Sequence, residues 1–288
     1  MLVSLTEVTK YAEKHGIAIG SFNAPNLESL LASLNAAEEL NLPVIIQFAQ
    51  CHESWLPLDI IGPIMVDRAK KAKVPVCVHL DHGETLEYLE KALKMGFTSI
   101  MFDGSTLPYE ENLAQTKKAV ALARSYHAEV EAELGSMGRR ESGLGEGGED
   151  HTKIYTDPRQ AGEFVRETGV QALACSFGTT HGIYLSKPRL DFDVVKNVRR
   201  ETGGIPIVMH GGSGVSKEDF HAAIRAGVRK INYFTYMDKA GGQAAESYLQ
   251  GLEPHAPRFF SSVLAAAQQA MQENLISAMK TFALMEDQ

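Results

Sequence analysis

The chain has 288 residues, with 28 Lys+Arg against 36 Asp+Glu and a formal net charge of −8. Hydrophobic residues at 44% and charged residues at 22% are ordinary globular proportions, which excludes a disordered or collagen-like chain. The acidic balance speaks against nucleic acid or an anionic membrane as the main partner, and three scattered cysteines without a C-x-x-C pair exclude a disulfide framework or a cysteine-built zinc site.

The opening segment, MLVSLTEVTKYAEKHG, has no basic region followed by an apolar stretch, so it does not read as a signal peptide. No apolar run approaches the ~20 residues of a membrane span. The expectation is a soluble, cytoplasmic protein.

In chain order, short β-branched or apolar runs alternate with longer amphipathic segments. Strands are expected over 17–23, 44–48, 74–80, 98–102, 128–134, 172–177, 205–209 and 228–233, with helices over 27–40, 59–73, 85–95, 109–126, 158–168, 192–202 and 217–226. The strand runs are mostly apolar throughout, as expected for strands covered on both faces. Asp157-Pro158 offers an N-cap and a first-turn proline, while Gly96, Gly169 and Gly227 stop the helices before them. The pattern predicts an α/β protein: a single (β/α)8 TIM barrel spanning 1–288, with helices from about 258 added at the C-terminal end. A doubly wound sheet also alternates, but eight regular units without a long insert favour closure. The Gly-rich, charged stretch at about 135–150 reads as a mobile loop after the fifth strand.

Barrel chemistry sits at the C-terminal ends of the strands. The third strand ends in His79-Leu80-Asp81-His82-Gly83, the sixth leads to Gly178-Thr179-Thr180-His181-Gly182, and the seventh to His210-Gly211-Gly212-Ser213-Gly214. His82, His181 and His210 therefore share one rim. Three neutral imidazoles with an open fourth position make a catalytic zinc site; the plainer alternative is three unrelated hydrogen-bonded histidines. His79 is expected to point into the packed wall, and His52, His127, His151, His221 and His255 read as surface or structural residues. Asp81 is placed to shuttle a proton to a substrate hydroxyl, or else to support a ligand imidazole. The glycines after His210, with Asn232-Tyr233-Phe234-Thr235 after the eighth strand, suit a phosphate site as well as a tight turn. Lys230 falls inside the eighth strand, which argues against a Schiff-base mechanism.

With these residues in hand, the chain resembles the class II, metal-dependent ketose-bisphosphate aldolases of the fructose- and tagatose-bisphosphate type. The resemblance runs from Ser21-Phe22-Asn23 to Thr235, and its motifs include Glu131-Ala132-Glu133-Leu134-Gly135 and Gly147-Gly148-Glu149-Asp150 besides those above. It implies zinc on His82, His181 and His210, with Glu133 as an alternate ligand and Asp81 as proton donor and acceptor. Glu149 would exchange the proton at the carbon that becomes nucleophilic. The dihydroxyacetone phosphate site would fall on Gly182, Gly211, Gly212, Ser213, Asn232, Tyr233, Phe234 and Thr235, with Asn23 as a further substrate-binding residue. Also implied are a monovalent cation (Na+ or K+) near the phosphate loops, a small phosphorylated sugar as substrate and a homodimer or homotetramer. The implied reaction is reversible cleavage of a ketose 1-phosphate, like fructose or tagatose 1,6-bisphosphate, through a metal-stabilised enediolate.

Three departures fall around the aldehyde half. Ala49 stands where relatives usually carry Ser, and Asn232-Tyr233-Phe234-Thr235-Tyr236 replaces an Asn-x-Asp-Thr-Asp pattern. A basic residue after the sixth strand is displaced to Lys187. They leave open an aldolase acting on a non-phosphorylated aldehyde, with Arg139, Arg140 and Arg258 as candidate binders of a second anionic group. An accessory or scaffold subunit is the non-enzymatic alternative.

Overall fold

A computed structural model describes residues 1–135, 155–180, 182 and 188–285. Eight parallel strands close into one barrel in sequence order: β1 (Ile19–Asn23), β2 (Val44–Ala49), β3 (Val76–Gly83), β4 (Ser99–Phe102), β5 (Glu129–Leu134), β6 (Ala172–Cys175), β7 (Ile207–Met209) and β8 (Val228–Tyr233). Closure runs through β1 and β8, where Ser21 pairs with Asn232.

Ten helices accompany them among the described residues: α1 (Leu5–His15), α2 (Leu27–Leu40), α3 (Leu58–Lys71), α4 (Leu86–Lys94), α5 (Tyr109–Ser125), α6 (Pro158–Thr168), α7 (Phe192–Glu201), α8 (Lys217–Ala226), α9 (Thr235–Gln250) and α10 (Phe260–Phe282). The readable helix ends are where the sequence puts them. Asp157 caps α6 by accepting from the Gln160 amide, and Gly169 closes that helix in the left-handed region. Two helices escape the periodicity reading. The first, α1, is short but carries a full capping box between Ser4 and Glu7. The second, α9, holds Gly241 and Gly242 in its middle, which weakens its helical signal. A Cβ on Gly241 would lie 3.0 Å from the Met271 side chain, so the glycine lets α9 pack closely on α10. In turn, α10 lies along both α9 and α2.

The core has two parts. Between strands and helices lies the larger apolar layer, including Phe48, Phe97, Phe164 and Phe177. Inside the barrel, Ile19, Ile45, Cys77, Ala172, Ala174 and Val208 fill the N-terminal half, and α1 caps them with Leu5, Val8 and Ala12. Because side chains alternate along a strand, the inward positions continue upward as Ser21 and Asn23, Gln47, His79 and Asp81, Glu131 and Glu133, and Lys230 and Asn232. The upper half of the barrel is thus polar though buried.

Candidate active site

At the end of β3 two consecutive residues serve the same rim. Neighbours in a strand normally face opposite sides, but the pairing of β3 with β4 shifts register between Leu80 and Gly83. His82 there takes φ 48°, a left-handed conformation uncommon for a residue with a side chain. Such strained positions concentrate at functional sites. Here the bulge turns His82 to the side of Asp81 and His210, and one ligand atom of each lies within 4.8 Å of the others. The His82 and His210 rings meet edge to face, with centroids 4.8 Å apart.

Each imidazole is anchored through one nitrogen by a buried carboxylate. His82 Nδ1 donates to Asp103 Oδ2 at 2.8 Å, so Nε2 is its ligand atom, 3.9 Å from Asp81 Oδ1. His210 Nε2 donates to Glu131 Oε1 at 2.8 Å, so Nδ1 is its ligand atom, 3.6 Å from Glu133 Oε2. This carboxylate–histidine pairing is how proteins fix the tautomer and aim of a metal-binding imidazole. Glu133 also joins His82 and Asp103 in a second three-member cluster. Four carboxylates, Asp81, Asp103, Glu131 and Glu133, face one ammonium, Lys230, among the described residues of this centre. That excess of buried negative charge and the donor set both fit a divalent cation.

The electrostatics point the same way. Burial opposes a charge on His82, yet Asp81, Asp103 and Glu133 together raise its pKa to about 9. Asp81 is also disfavoured as an anion by burial, but the neighbouring His82 and Lys230 charges hold it well below the usual carboxylate range. Three amides fasten the Asp81 carboxylate: Asn23 Nδ2 and Gln47 Nε2 donate to Oδ2, and Asn232 Nδ2 donates to Oδ1, each at 3.1 Å. Lys230 Nζ completes the network, donating to Asn232 Oδ1 at 2.7 Å and lying 2.8 Å from Glu131 Oε2. His79, expected to point into the packed wall, instead points into the barrel on the Asp81 side of β3, 2.8 Å from Ser99 Oγ and 3.7 Å from Glu131 Oε2.

Above these groups opens a cavity of about 280 Å³, lined by Asp81 and His82 together with Asn23, Gly182, Gly211, Gly212, Ser213 and 232–235. Gly211 takes φ 63°, and a Cβ on Gly212 would sit 2.8 Å from the Asn232 carbonyl. The turn after β7 therefore needs both glycines to press against β8. Ser213 Oγ accepts from the Phe234 and Tyr236 amides at the start of α9, which ties this turn to a helix N-terminus. Tyr233 is oriented differently from its neighbours: its hydroxyl donates to Asn274 Oδ1 on α10 at 3.0 Å, and its ring packs edge-on against Phe22 and Phe282.

His181 and Glu149 lie outside the described residues, as does the stretch at 136–154 that holds most of the Gly-rich loop. Asp103, Glu131 and Lys230 were not singled out from sequence as site residues. The signals were present: Asp103-Gly104 stands at a strand end, and Glu131 and Lys230 sit two residues before Glu133 and Asn232, on the same strand face. His52, read from sequence as a surface or structural residue, is buried at 5% exposure and also lines the cavity, carried there by the 3-10 turn Gln50–Ser54 after β2.

Comparison with known proteins agrees with this geometry. The family model "Fructose-bisphosphate aldolase class-II" matches residues 3–286. A fructose-bisphosphate aldolase of Staphylococcus aureus is 36% identical over 287 residues, covering 98% of this chain and 97% of the relative. Among solved structures, the YdjI aldolase of Escherichia coli K12 superposes with a TM-score of 0.86 at 35% identity, over 98% of this chain and 97% of that one. The fructose-bisphosphate aldolase of Campylobacter jejuni gives 0.81 at 25% identity, over 99% and 96%.

Proposed function

The chain belongs to the class II fructose-bisphosphate aldolase family, carbon–carbon lyases that depend on a metal, and from that premise we propose that it is a zinc enzyme that reversibly cleaves a ketose 1-phosphate to dihydroxyacetone phosphate and an aldehyde. The observation that carries the proposal is the pair of imidazoles, His82 and His210, each aimed by a buried carboxylate beside Asp81.

His82, His181 and His210 would hold the zinc, which when bound would supply Lewis acidity to polarise the ketose carbonyl and offset the charge left as the bond breaks. Asp81 takes the proton from the C4 hydroxyl during cleavage and returns it in condensation. The His82 and Lys230 charges hold it ionised and its three amide donors orient it, which matters more for this task than raw basicity. Glu133 is the alternate ligand. Glu149 exchanges the proton at the carbon that becomes nucleophilic. The glycine turn after β7, with Ser213 and the residues leading into α9, binds the phosphate, since a helix N-terminus and a glycine turn both present donors to an anion; the Gly212 N–H itself is given to the Asn232 carbonyl and fixes the turn against β8. Tyr233 contributes there through its backbone, because its hydroxyl is engaged by Asn274. A monovalent cation near these loops, a single-domain homodimer or homotetramer and a cytoplasmic setting belong to the same reading. No helix among the described residues is long and apolar enough to cross a membrane.

The test is dihydroxyacetone phosphate release from a panel of ketose 1-phosphates and 1,6-bisphosphates, with and without a chelator. Release that a chelator abolishes and zinc restores is the expected result. His181→Ala should lose zinc and turnover together, and an active, metal-free His181→Ala protein would overturn the assignment.

A further inference from the structure

Away from the glycine turn after β7, the cavity has a wall of a different kind. The turn after β2 brings His52 and Trp55 to it, and Phe234 closes it from the end of β8. The His52 and Trp55 rings stack with centroids 4.9 Å apart and planes 19° apart, and Phe234 leans on His52 at 5.1 Å. Phe48 meets His52 edge-on from below. Burial lowers the His52 pKa, so the ring is an uncharged packing surface. His52 is almost wholly covered, whereas Trp55 is 66% exposed. A large indole is thus stacked at the mouth on the ring beneath it, with much of its surface open.

Charge along the cavity is as telling as the rings. Among its described lining residues there is no lysine or arginine, and the acids are Asp81 and Asp238. Burial raises the Asp238 pKa. Against these described residues a phosphate on the aldehyde half would meet carboxylates and aromatic rings. An uncharged hydroxyaldehyde would instead lay its C–H groups on the indole face, burying apolar surface without an unpaired charge.

We infer that the His52–Trp55–Phe234 wall is the aldehyde subsite and that it selects an uncharged, non-phosphorylated aldehyde, with Trp55 as the specificity-determining contact. The inference rests on the aldolase reading above. Asp81, where the bond breaks, then lies between the phosphate turn after β7 and the wall that begins after β2.

Three measurements on the zinc-loaded protein test it. Solvent-deuterium exchange into dihydroxyacetone phosphate alone, followed by NMR, reads enediolate chemistry without any aldehyde. Condensation with glyceraldehyde is then compared with glyceraldehyde 3-phosphate, expecting at least a tenfold higher kcat/KM for the uncharged aldehyde. In Trp55→Ala the loss in glyceraldehyde condensation should exceed any loss in exchange by tenfold or more, carried by KM, and Trp55→Phe should recover most of it. Trp55 is the chain's only tryptophan, so quenching of its emission by glyceraldehyde reads occupancy directly. A preference for the phosphorylated aldehyde, or equal losses in both assays, overturns the subsite alone. Absence of exchange in the wild type overturns the aldolase reading and the subsite with it.

Discussion

The Nζ of Lys230 lies 2.8 Å from Oε2 of Glu131, with both side chains fully buried inside the barrel. Glu131 in turn anchors His210, and Lys230 anchors Asn232, which holds Asp81. One buried ion pair thus joins the support of a candidate metal ligand to that of the carboxylate proposed to transfer the proton.

Removing one member of a buried pair leaves an uncompensated charge, at a cost of about 3–5 kcal/mol. Lys230→Met should therefore lower the unfolding free energy by about that amount. Pairing it with Glu131→Gln should recover part of the loss. Denaturant unfolding of both variants checks this, and a double variant no more stable than the single one would contradict it.

Asp103 fixes the His82 imidazole and stands in the cluster with His82 and Glu133, so its effect should appear in metal affinity. Asp103→Asn should weaken zinc binding by roughly 10–100-fold, read by competition with a chromophoric chelator. At saturating zinc its turnover should recover most of the wild-type value. By contrast, Asp81→Ala should keep its zinc and lose roughly 10²–10⁴-fold in cleavage rate.

Burial, aided by the nearby Lys230 charge, lowers the His79 pKa from the ordinary 6.5 to about 3. Between those values the unfolded chain binds a proton that the folded one does not, so stability falls as pH drops below about 6.5 and continues to fall towards 3. Melting temperatures at pH 7.5, 6.0 and 5.0 should decline in that order. His79→Gln should flatten the decline, and an unchanged slope would remove His79 as its source.

Cys77 and Cys175 are buried, and burial pushes both thiols up to about 12, whereas Cys51 is exposed and lines the cavity. A maleimide should therefore add one equivalent to the native protein, on Cys51, and obstruct turnover. Mass spectrometry of the peptides locates the adduct, and Cys51→Ser should escape inhibition.

Most of the architecture was legible in the chain. Helices at 27–40, 158–168 and 217–226 and the strand at 228–233 were expected with the bounds found, because caps and the glycines that stop helices, such as Gly227 just before the last strand, are local signals. The third strand was expected to stop at Leu80 and instead runs to Gly83. The bulge that extends it depends on pairing with β4, which no local period reports. The 3-10 turn carrying His52 was invisible for the same reason: a five-residue turn has no repeat to detect.

What the sequence determined by itself is which side chains stand at strand ends and on which face, since alternation and the βα repeat are written residue by residue. Only the tertiary structure decided their partners. Barrel closure sets Glu131 beside Lys230, Asp103 under His82 and Phe234 against His52, across separations at which spacing carries no information. The left-handed turn at His82, sustained by the surrounding sheet, places two adjacent residues on the same side of the site where an unbroken strand would have parted them.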